Sequence, residues 1–342
     1  MAEFDLIERY FTFEYDFSED SKDTSANSPS AESSKKPHVV KGIGDDCAIF
    51  EIPSKYQLVT STDTLVDGVH FFSDLQPELI AHKALAANVS DLAAMGARPL
   101  AFTLSISLPD VSEEWLEGFS TGIKRASETF NIPLVGGDTT QGPLNINITA
   151  YGTVKKGRLL ERDKAQLGDD IWVTGHLGEA AAALELNQKA LENKETLSTS
   201  EQVLWDALTK PKPPLKFARK LTKLSSCGLD ISDGLAADVG HILKKSRCGA
   251  TLNVELLPVS DALKTVVGSE QAPQYALNGG DDYQLCFTAP QNNRDKINKL
   301  AARQGVKASR IGTITDNGLK VLLHGKPFKS ERKSWQHFNS DN

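Results

Sequence analysis

The sequence predicts a mixed α/β protein in two domains, on three observations. Its 342 residues exceed what a single hydrophobic core usually holds. Apolar runs of strand length alternate with longer stretches of helical period along both halves. A basic turn, Lys155-Lys156-Gly157-Arg158, separates the two series of elements and marks a boundary, giving an N-terminal domain over residues 1–154 and a C-terminal domain over 155–342.

Phe4, Ile7 and Phe11, with Leu6 and Tyr10 beside them, predict a short opening helix. From Ser18 to Pro37 there is no Leu, Ile, Val, Met or aromatic residue. Such a segment buries too little to offset its ordering entropy and is expected to be a flexible insert, bounded at 17–38. Strands are expected over Asp46–Ile52, Tyr56–Asp63, Leu100–Leu108, Pro133–Val135 and Leu144–Val154. Helices are expected over Pro77–Met95 and Ser112–Phe130, the second capped by Ser112. In the second half, strands are expected over Asp170–Thr174, Gly228–Ile231, Thr251–Leu256, Tyr283–Thr288 and Arg310–Ile314. Helices are expected over Gly178–Leu191, Leu215–Leu224, Gly234–Ser246 and Asp295–Gln304, with Asn187–Ser200 read as loop or frayed helix. Lys210-Pro211-Lys212-Pro213-Pro214 is a stiff linker. A repeated Gly-Gly-Asp hints at related halves.

A hydrophobic content of 39% fits a globular enzyme, and no apolar run reaches the length a bilayer requires. The acidic start, Met1-Ala2-Glu3-Phe4-Asp5, does not resemble a secretory signal, and a cytoplasmic location is expected. A net charge of −7 argues against a general grip on nucleic acid. Cys47, Cys227, Cys248 and Cys286 have no paired spacing and are expected to be buried small hydrophobes, Cys47 within a strand.

Aspartates at the ends of apolar runs carry the chemical signal. Six clusters recur: Gly44-Asp45-Asp46, Ser61-Thr62-Asp63-Thr64, Asn88-Val89-Ser90-Asp91, Gly136-Gly137-Asp138, Asp230-Ile231-Ser232-Asp233-Gly234 and Gly279-Gly280-Asp281-Asp282. One Asp beside Gly is an ordinary turn residue. Several gathered carboxylates need cations, and hard oxygen ligands suit Mg2+ carrying polyphosphate. Asn88 and Asp91, three apart, share a helix face. Ser232 is expected to cap the helix that follows, leaving that helix start able to hold a phosphate while Asp230 and Asp233 hold metal. Arg162 is the cation best placed in sequence after Asp138, or an ordinary surface arginine. Walker, dinucleotide-binding, protein-kinase and nucleophile-elbow signatures are all absent, and His70, His82, His176 and His241 lack zinc spacing.

The strings GIGDDCAIF (42–50), STDTLVDGVHF (61–71), KALAANVSDLAAMGARP (83–99), VGGDTTQGPL (135–144), LDISDGLAADVGHI (229–242) and NGGDDYQLCFT (278–288) resemble bacterial thiamine-monophosphate kinases, in order and over nearly the whole chain. That family belongs to the superfamily of aminoimidazole-ribonucleotide synthetase. The resemblance implies its two-domain fold, each domain a mixed sheet with helices packed on it. It implies transfer of the γ-phosphoryl of ATP to thiamine monophosphate with several Mg2+ ions, and a homodimer. By motif, Asp46, Ser61, Thr62, Asp63, Asp91, Asp138, Asp230 and Asp233 correspond to metal ligands. Gly137, Asp138, Arg162 and Ser232 correspond to nucleotide contacts, and His70, Asp281 and Trp335 to substrate contacts. Asp281 stands where the family usually carries Glu, and Trp335 where it accepts an aromatic residue.

No residue stands out as a general base, and direct in-line transfer needs none, because a phosphate acceptor is largely ionised near neutral pH. The alternation Phe102, Leu104, Ile106, Leu108 is expected to offer a sheet face for dimer pairing. Two other readings remain open. One is another ATP-using member of the superfamily, although no cysteine precedes Cys47 and the chain ends Asn339-Ser340-Asp341-Asn342 rather than on cysteine. The other is a nucleotide- and metal-binding regulator without turnover.

Overall fold

The computed structural model describes residues 3–14, 36–44, 46–193 and 197–332. The chain divides into two compact units, residues 1–92 with 97–157 and residues 93–96 with 158–342. The 17–38 insert lies, up to residue 35, outside the described residues, and a strand already begins at His38.

The first unit runs α1 (Glu3–Phe11), β1 (His38–Lys41), β2 (Ile49–Glu51), β3 (Tyr56–Val66), α2 (Pro77–Ala94), β4 (Arg98–Leu108), α3 (Glu113–Phe130), β5 (Leu134–Gln141) and β6 (Asn145–Lys155). The last two residues of α2 fall in the second unit. β1 and β2 pair alone, while the main sheet has the order β3-β6-β4-β5, parallel only between β4 and β5. Side chains alternate across a strand, so Leu100, Phe102, Leu104, Ile106 and Leu108 of β4 share one face with Ile146, Ile148 and Ala150 of β6, all buried. Ile80, Leu85 and Leu92 of α2 and Leu116, Phe119 and Ile123 of α3 are buried as well. α3 is capped by Ser112, whose hydroxyl accepts from Trp115 N–H.

This burial corrects the dimer-face expectation, since Phe102, Leu104, Ile106 and Leu108 are spent inside the unit. The opposite face carries Thr60, Thr62, Thr64, Ser105, Asn147, Thr149 and Tyr151, all partly or fully exposed.

The second unit contains β7 (Asp170–Thr174), α4 (Glu179–Asn193), α5 (Thr199–Thr209), α6 (Leu215–Leu221), β8 (Cys227–Ile231), α7 (Leu235–Ser246), β9 (Gly249–Asn253), α8 (Asp261–Val267), α9 (Ala272–Asn278), β10 (Gln284–Ala289), α10 (Arg294–Gln304), β11 (Ala308–Thr315), β12 (Leu319–Leu323) and β13 (Lys326–Pro327). Its sheet has the order β13-β12-β9-β11-β7-β10-β8, antiparallel except between β9 and β12. β7 and β8 are buried along their whole length because both sheet faces are covered. Ile171, Val173, Leu229, Ile231 and Cys286 pack with Leu235, Val239 and Ile242 of α7. Trp172, Leu285 and Phe287 pack on the other side with Phe217 and Leu221 of α6 and Ile297 of α10. Asp170, fully buried, is held by the Arg294 guanidinium at 2.5 and 2.7 Å.

Other expectations change. The segment expected as loop or frayed helix from Asn187 to Ser200 contains the end of α4, in keeping with the helical alternative, and the start of α5, whose capping box joins Ser198 and Glu201. β12, β13, α8 and α9 had no counterpart in the sequence reading. Cys227 and Cys286 are buried, but Cys248 is only partly so, and Cys47 is exposed in the loop between β1 and β2, not in a strand. Gly136-Gly137-Asp138 lies inside β5 rather than beyond a strand's end. Among the described residues no helix is long and apolar enough to cross a membrane.

Candidate functional site

In the first unit, β3 and α2 bring Ser61, Asp63, Asn88 and Asp91 together. Ser61 and Asp63 alternate onto the helix-facing side of β3. The Ser61 hydroxyl donates to Asp91 Oδ2, and Asp63 N–H donates to Asn88 Oδ1 at 3.2 Å. Asn88 is fully buried and anchors itself to Ala84 O at 3.1 Å. Burial is the main influence on Asp63, followed by the negative charge of Asp91 and a hydrogen bond with it, and the carboxyl is pushed up from 3.8 to about 6.

Thr62 is not part of this group. Strand alternation turns it to the opposite face, where its hydroxyl donates to Ile148 O at 3.0 Å and meets Thr149 Oγ1 at 2.9 Å. Asp46 is exposed in the loop between β1 and β2, and Asp138 is exposed on β5 at register with Ser105. Gly137 is fixed by the sheet itself: a Cβ there would lie 1.8 Å from Leu104 O. His70 follows β3, and its Nδ1 accepts from Val66 N–H at 3.1 Å, which leaves Nε2 as the nitrogen able to donate.

In the second unit Asp230 is buried on β8, and Ser232 and Asp233 form the turn into α7. The structure corrects the expected cap. The N-cap is Gly234, at φ 114°, and Ser232 makes no capping bond. The cap comes instead from Asp238, whose Oδ2 accepts from Ser232, Asp233 and Gly234 N–H at 3.1, 3.2 and 3.1 Å. The three N–H groups of the turn that leads into α7 are therefore engaged by the chain itself. Burial first, and the Asp233 charge second, push the Asp238 carboxyl up to about 7 against the pull of these three donors. Asp233, Asp238 and His241 each place a ligand atom within 4.8 Å of the others. Sequence reading missed Asp238, although an Asp in the first turn of a helix is a capping signal. Arg162 is exposed, and its carbonyl accepts from the Ser246 hydroxyl at 2.9 Å.

The loop before β10 holds Asp281 and Asp282 in different states. Asp282 is buried, and both its oxygens accept from Gly178 N–H, at 3.0 and 2.9 Å. Burial nonetheless drives its carboxyl well above the usual range. Asp281 is partly exposed at φ 64° and accepts from the Tyr283 hydroxyl at 3.0 Å, with Tyr283 itself at φ 48°. Two left-handed non-glycine positions within three residues are uncommon and collect at functional loops. Trp335 lies outside the described residues.

These acidic groups lie in two mixed α/β units, and most of the chain has known counterparts. Residues 44–154 match the N-terminal domain of the AIR synthase related protein family, and residues 166–324 match its C-terminal domain. Within that class, the thiamine-monophosphate kinase of Escherichia coli (strain K12) is 44% identical over 307 residues, spanning 89% of this chain and 94% of its own. The solved thiamine-monophosphate kinase of Stenotrophomonas maltophilia K279a matches with a TM-score of 0.79 at 43% identity, over 85% of this chain and 92% of that one. AaThiL complexed with AMPPCP and TMP matches with a TM-score of 0.74 at 33% identity, over 83% and 88%. The chain belongs to the thiamine-monophosphate kinase family.

The Asp63–Asp91 pair makes a pH prediction. Folding raises the Asp63 pKa, so the native chain binds more protons than the unfolded one between 3.8 and about 6. Stability contributed by this group therefore falls as pH rises through that window. Thermal unfolding of the metal-free protein should show Asp91→Asn gaining on the wild type as pH goes from 4.5 to 7. A difference in Tm that does not grow with pH would contradict it.

Proposed function

We propose that the protein phosphorylates thiamine monophosphate to thiamine diphosphate with ATP as phosphoryl donor. The family supports the choice of substrates, since its relatives carry that activity in their names and one is complexed with AMPPCP and TMP. The observation that carries the chemistry is the Ser61–Asp63–Asp91 group, in which the strongest charge acting on a half-buried carboxylate is a second carboxylate. Such a group favours a cation.

Ser61, Asp63 and Asp91 offer only hydroxyl and carboxylate oxygens, as do Asp230 and Asp233 in the second unit, a donor set suited to Mg2+. We read these as metal ligands, with the exposed Asp46 and Asp138 as further carboxylates of the same kind. Mg2+ bound there would offset the charge of the phosphates, whose repulsion at about 4 Å amounts to about 4 kcal/mol per pair of unit charges at an effective dielectric near 20. The chain's residues then have one main task, to hold donor and acceptor in line. No side chain has to remove a proton, because the acceptor phosphate, with a second pKa of about 6, is already largely dianionic at neutral pH. We assign nucleotide contacts to the Gly137–Asp138 segment, Arg162 and Ser232. The Ser232 contact is made by its hydroxyl, since its N–H is engaged. We assign substrate contacts to His70, Asp281 and Trp335. Dependence on ATP points to the cytoplasm.

We also read the protein as a homodimer. β3 is an edge strand of 11 residues, and long edges left open are a liability that pairing removes. The open backbone edge of β3, beside the hydroxyl- and amide-rich face described above, would make that pairing.

Three measurements bear on this reading. Asp91→Asn should lower thiamine-monophosphate-dependent ADP release by on the order of a hundredfold or more while the protein stays folded; near-normal turnover at saturating Mg2+ would refute the metal assignment. Asp281→Ala should raise the KM for thiamine monophosphate by on the order of tenfold to a hundredfold, the worth of one charge-assisted hydrogen bond, with kcat little changed. A fall in kcat at constant KM would move Asp281 to the phosphate end of the reaction. Sedimentation at micromolar concentration should return twice the 37.2 kDa chain mass, and a monomer would exclude the dimer.

A further inference from the structure

One buried carboxylate in the second unit has no place in the chemistry above, yet the acidic turn is built around it. Asp238, in the first turn of α7, is 4% exposed. A single oxygen of it accepts from three successive N–H groups, those of Ser232, Asp233 and Gly234. Its own N–H donates back to Gly234 O at 3.0 Å, so side chain and backbone close the turn from both sides. Three donors converging on one anion form the crown that elsewhere receives a phosphate. Here the chain supplies the anion itself.

The same turn supports the loop that carries Asp281. Asp281 N–H donates to Ser232 O and Tyr283 N–H to Ile231 O, both at 2.8 Å. The two segments approach so closely that a Cβ on Gly280 would fall 2.5 Å from Ser232 O, and one on Gly234 2.7 Å from Asn278 O. Ile231–Gly234 is thus the shared footing of Asp233 and of the Asp281 loop, and Asp238 is what holds that footing in shape.

We infer that Asp238 is a positioning residue: by accepting the Ser232, Asp233 and Gly234 N–H groups it aims the Asp233 carboxylate for cation binding and sets the Asp281 loop in register for substrate. This rests on the reading of Asp233 as a metal ligand and Asp281 as a substrate contact. The role belongs to the acceptor oxygen rather than to the negative charge, so an amide, which keeps the oxygen, restores much of what a methyl group loses.

The test compares full-length Asp238→Ala and Asp238→Asn with the wild type in three readouts. These are hydrogen exchange at the amides of residues 232–234, Mn2+ binding followed by paramagnetic resonance, and steady-state KM and kcat. Mn2+ binding is read in an Asp91→Asn background, so that the second unit's carboxylates dominate. Asp238→Ala should speed exchange at those amides, weaken Mn2+ binding about tenfold and raise the KM for thiamine monophosphate by a similar factor, as expected for loss of a shared hydrogen-bond acceptor. Asp238→Asn should recover most of each loss. Unchanged exchange and Mn2+ affinity in Asp238→Ala would overturn the inference. So would an Asp238→Asn variant that keeps its amides protected yet binds Mn2+ as poorly as Asp238→Ala, because the carboxylate would then be a ligand in its own right. Should Asp238→Ala not fold, the exchange and Mn2+ data on Asp238→Asn decide alone, with slow exchange and near-normal Mn2+ affinity required. A wild-type protein without thiamine-monophosphate-dependent ADP release would defeat the proposed reaction but leave the exchange and Mn2+ readouts to judge Asp238.

Discussion

Carboxylates drawn out of water, and the different means by which each is compensated, set the terms for both units. Asp170 has a guanidinium, from Arg294, at hydrogen-bond distance. Asp238 and Asp282 have backbone N–H groups, three in one case and a single shared donor in the other. Asp63 differs from all of these, because burial, the Asp91 charge and the hydrogen bond with Asp91 all push its carboxyl the same way, upward. An ion taken from water without a matching charge is costly, and the usual relief is to take up a proton or a cation. The first three are thereby committed to structure. The last is left with a charge that a bound cation would relieve.

This division explains how one chain can be rich in aspartate without every aspartate being a ligand. A carboxylate whose lone pairs are taken by the backbone organises a loop, and one left facing another carboxylate is the kind the proposed reading assigns to a metal. The Asp91 charge makes ionising Asp63 costly to the fold, so a cation bound there would link binding to folding through the same pair. A phosphoryl transfer between two polyanions benefits from the same arrangement, since the positive charge the carboxylates attract is the charge the phosphates need.

The parts of this arrangement legible in the sequence were those governed by period. Three-residue spacing put Asn88 and Asp91 on one helix face, and both do meet β3 there. The alternation of β4 located its buried side chains correctly but not their partner, because apolar alternation identifies a covered face without saying what covers it. The motif placed Thr62 with Ser61 and Asp63 as a ligand, although in a strand adjacent residues face opposite ways, a distinction the sequence already contained. Asp238 was harder to see. In LDISDGLAADVGHI the capping role fell to Ser232 by residue type, whereas Gly234 at φ 114° turns the chain so that a carboxylate one helical turn later reaches back over all three donors. Residue preferences rank candidates for a cap, but only the backbone path decides which one arrives.

The two Gly-Gly-Asp strings carry that point furthest. They suggested related halves, yet Gly136-Gly137-Asp138 is extended within β5, whereas Gly279-Gly280-Asp281 is an irregular loop ending in a left-handed aspartate. The glycines answer to a shared steric demand rather than a shared conformation. At Gly137 the neighbouring strand's Leu104 O leaves no room for a Cβ, and at Gly280 the carbonyl of Ser232 does the same. In both cases a bare backbone is pressed against another backbone one residue before an aspartate, which fixes the Cα from which that carboxylate projects. Glycine here confers rigidity through contact rather than freedom. That is the property a site needs when its acidic side chains must hold position against one another.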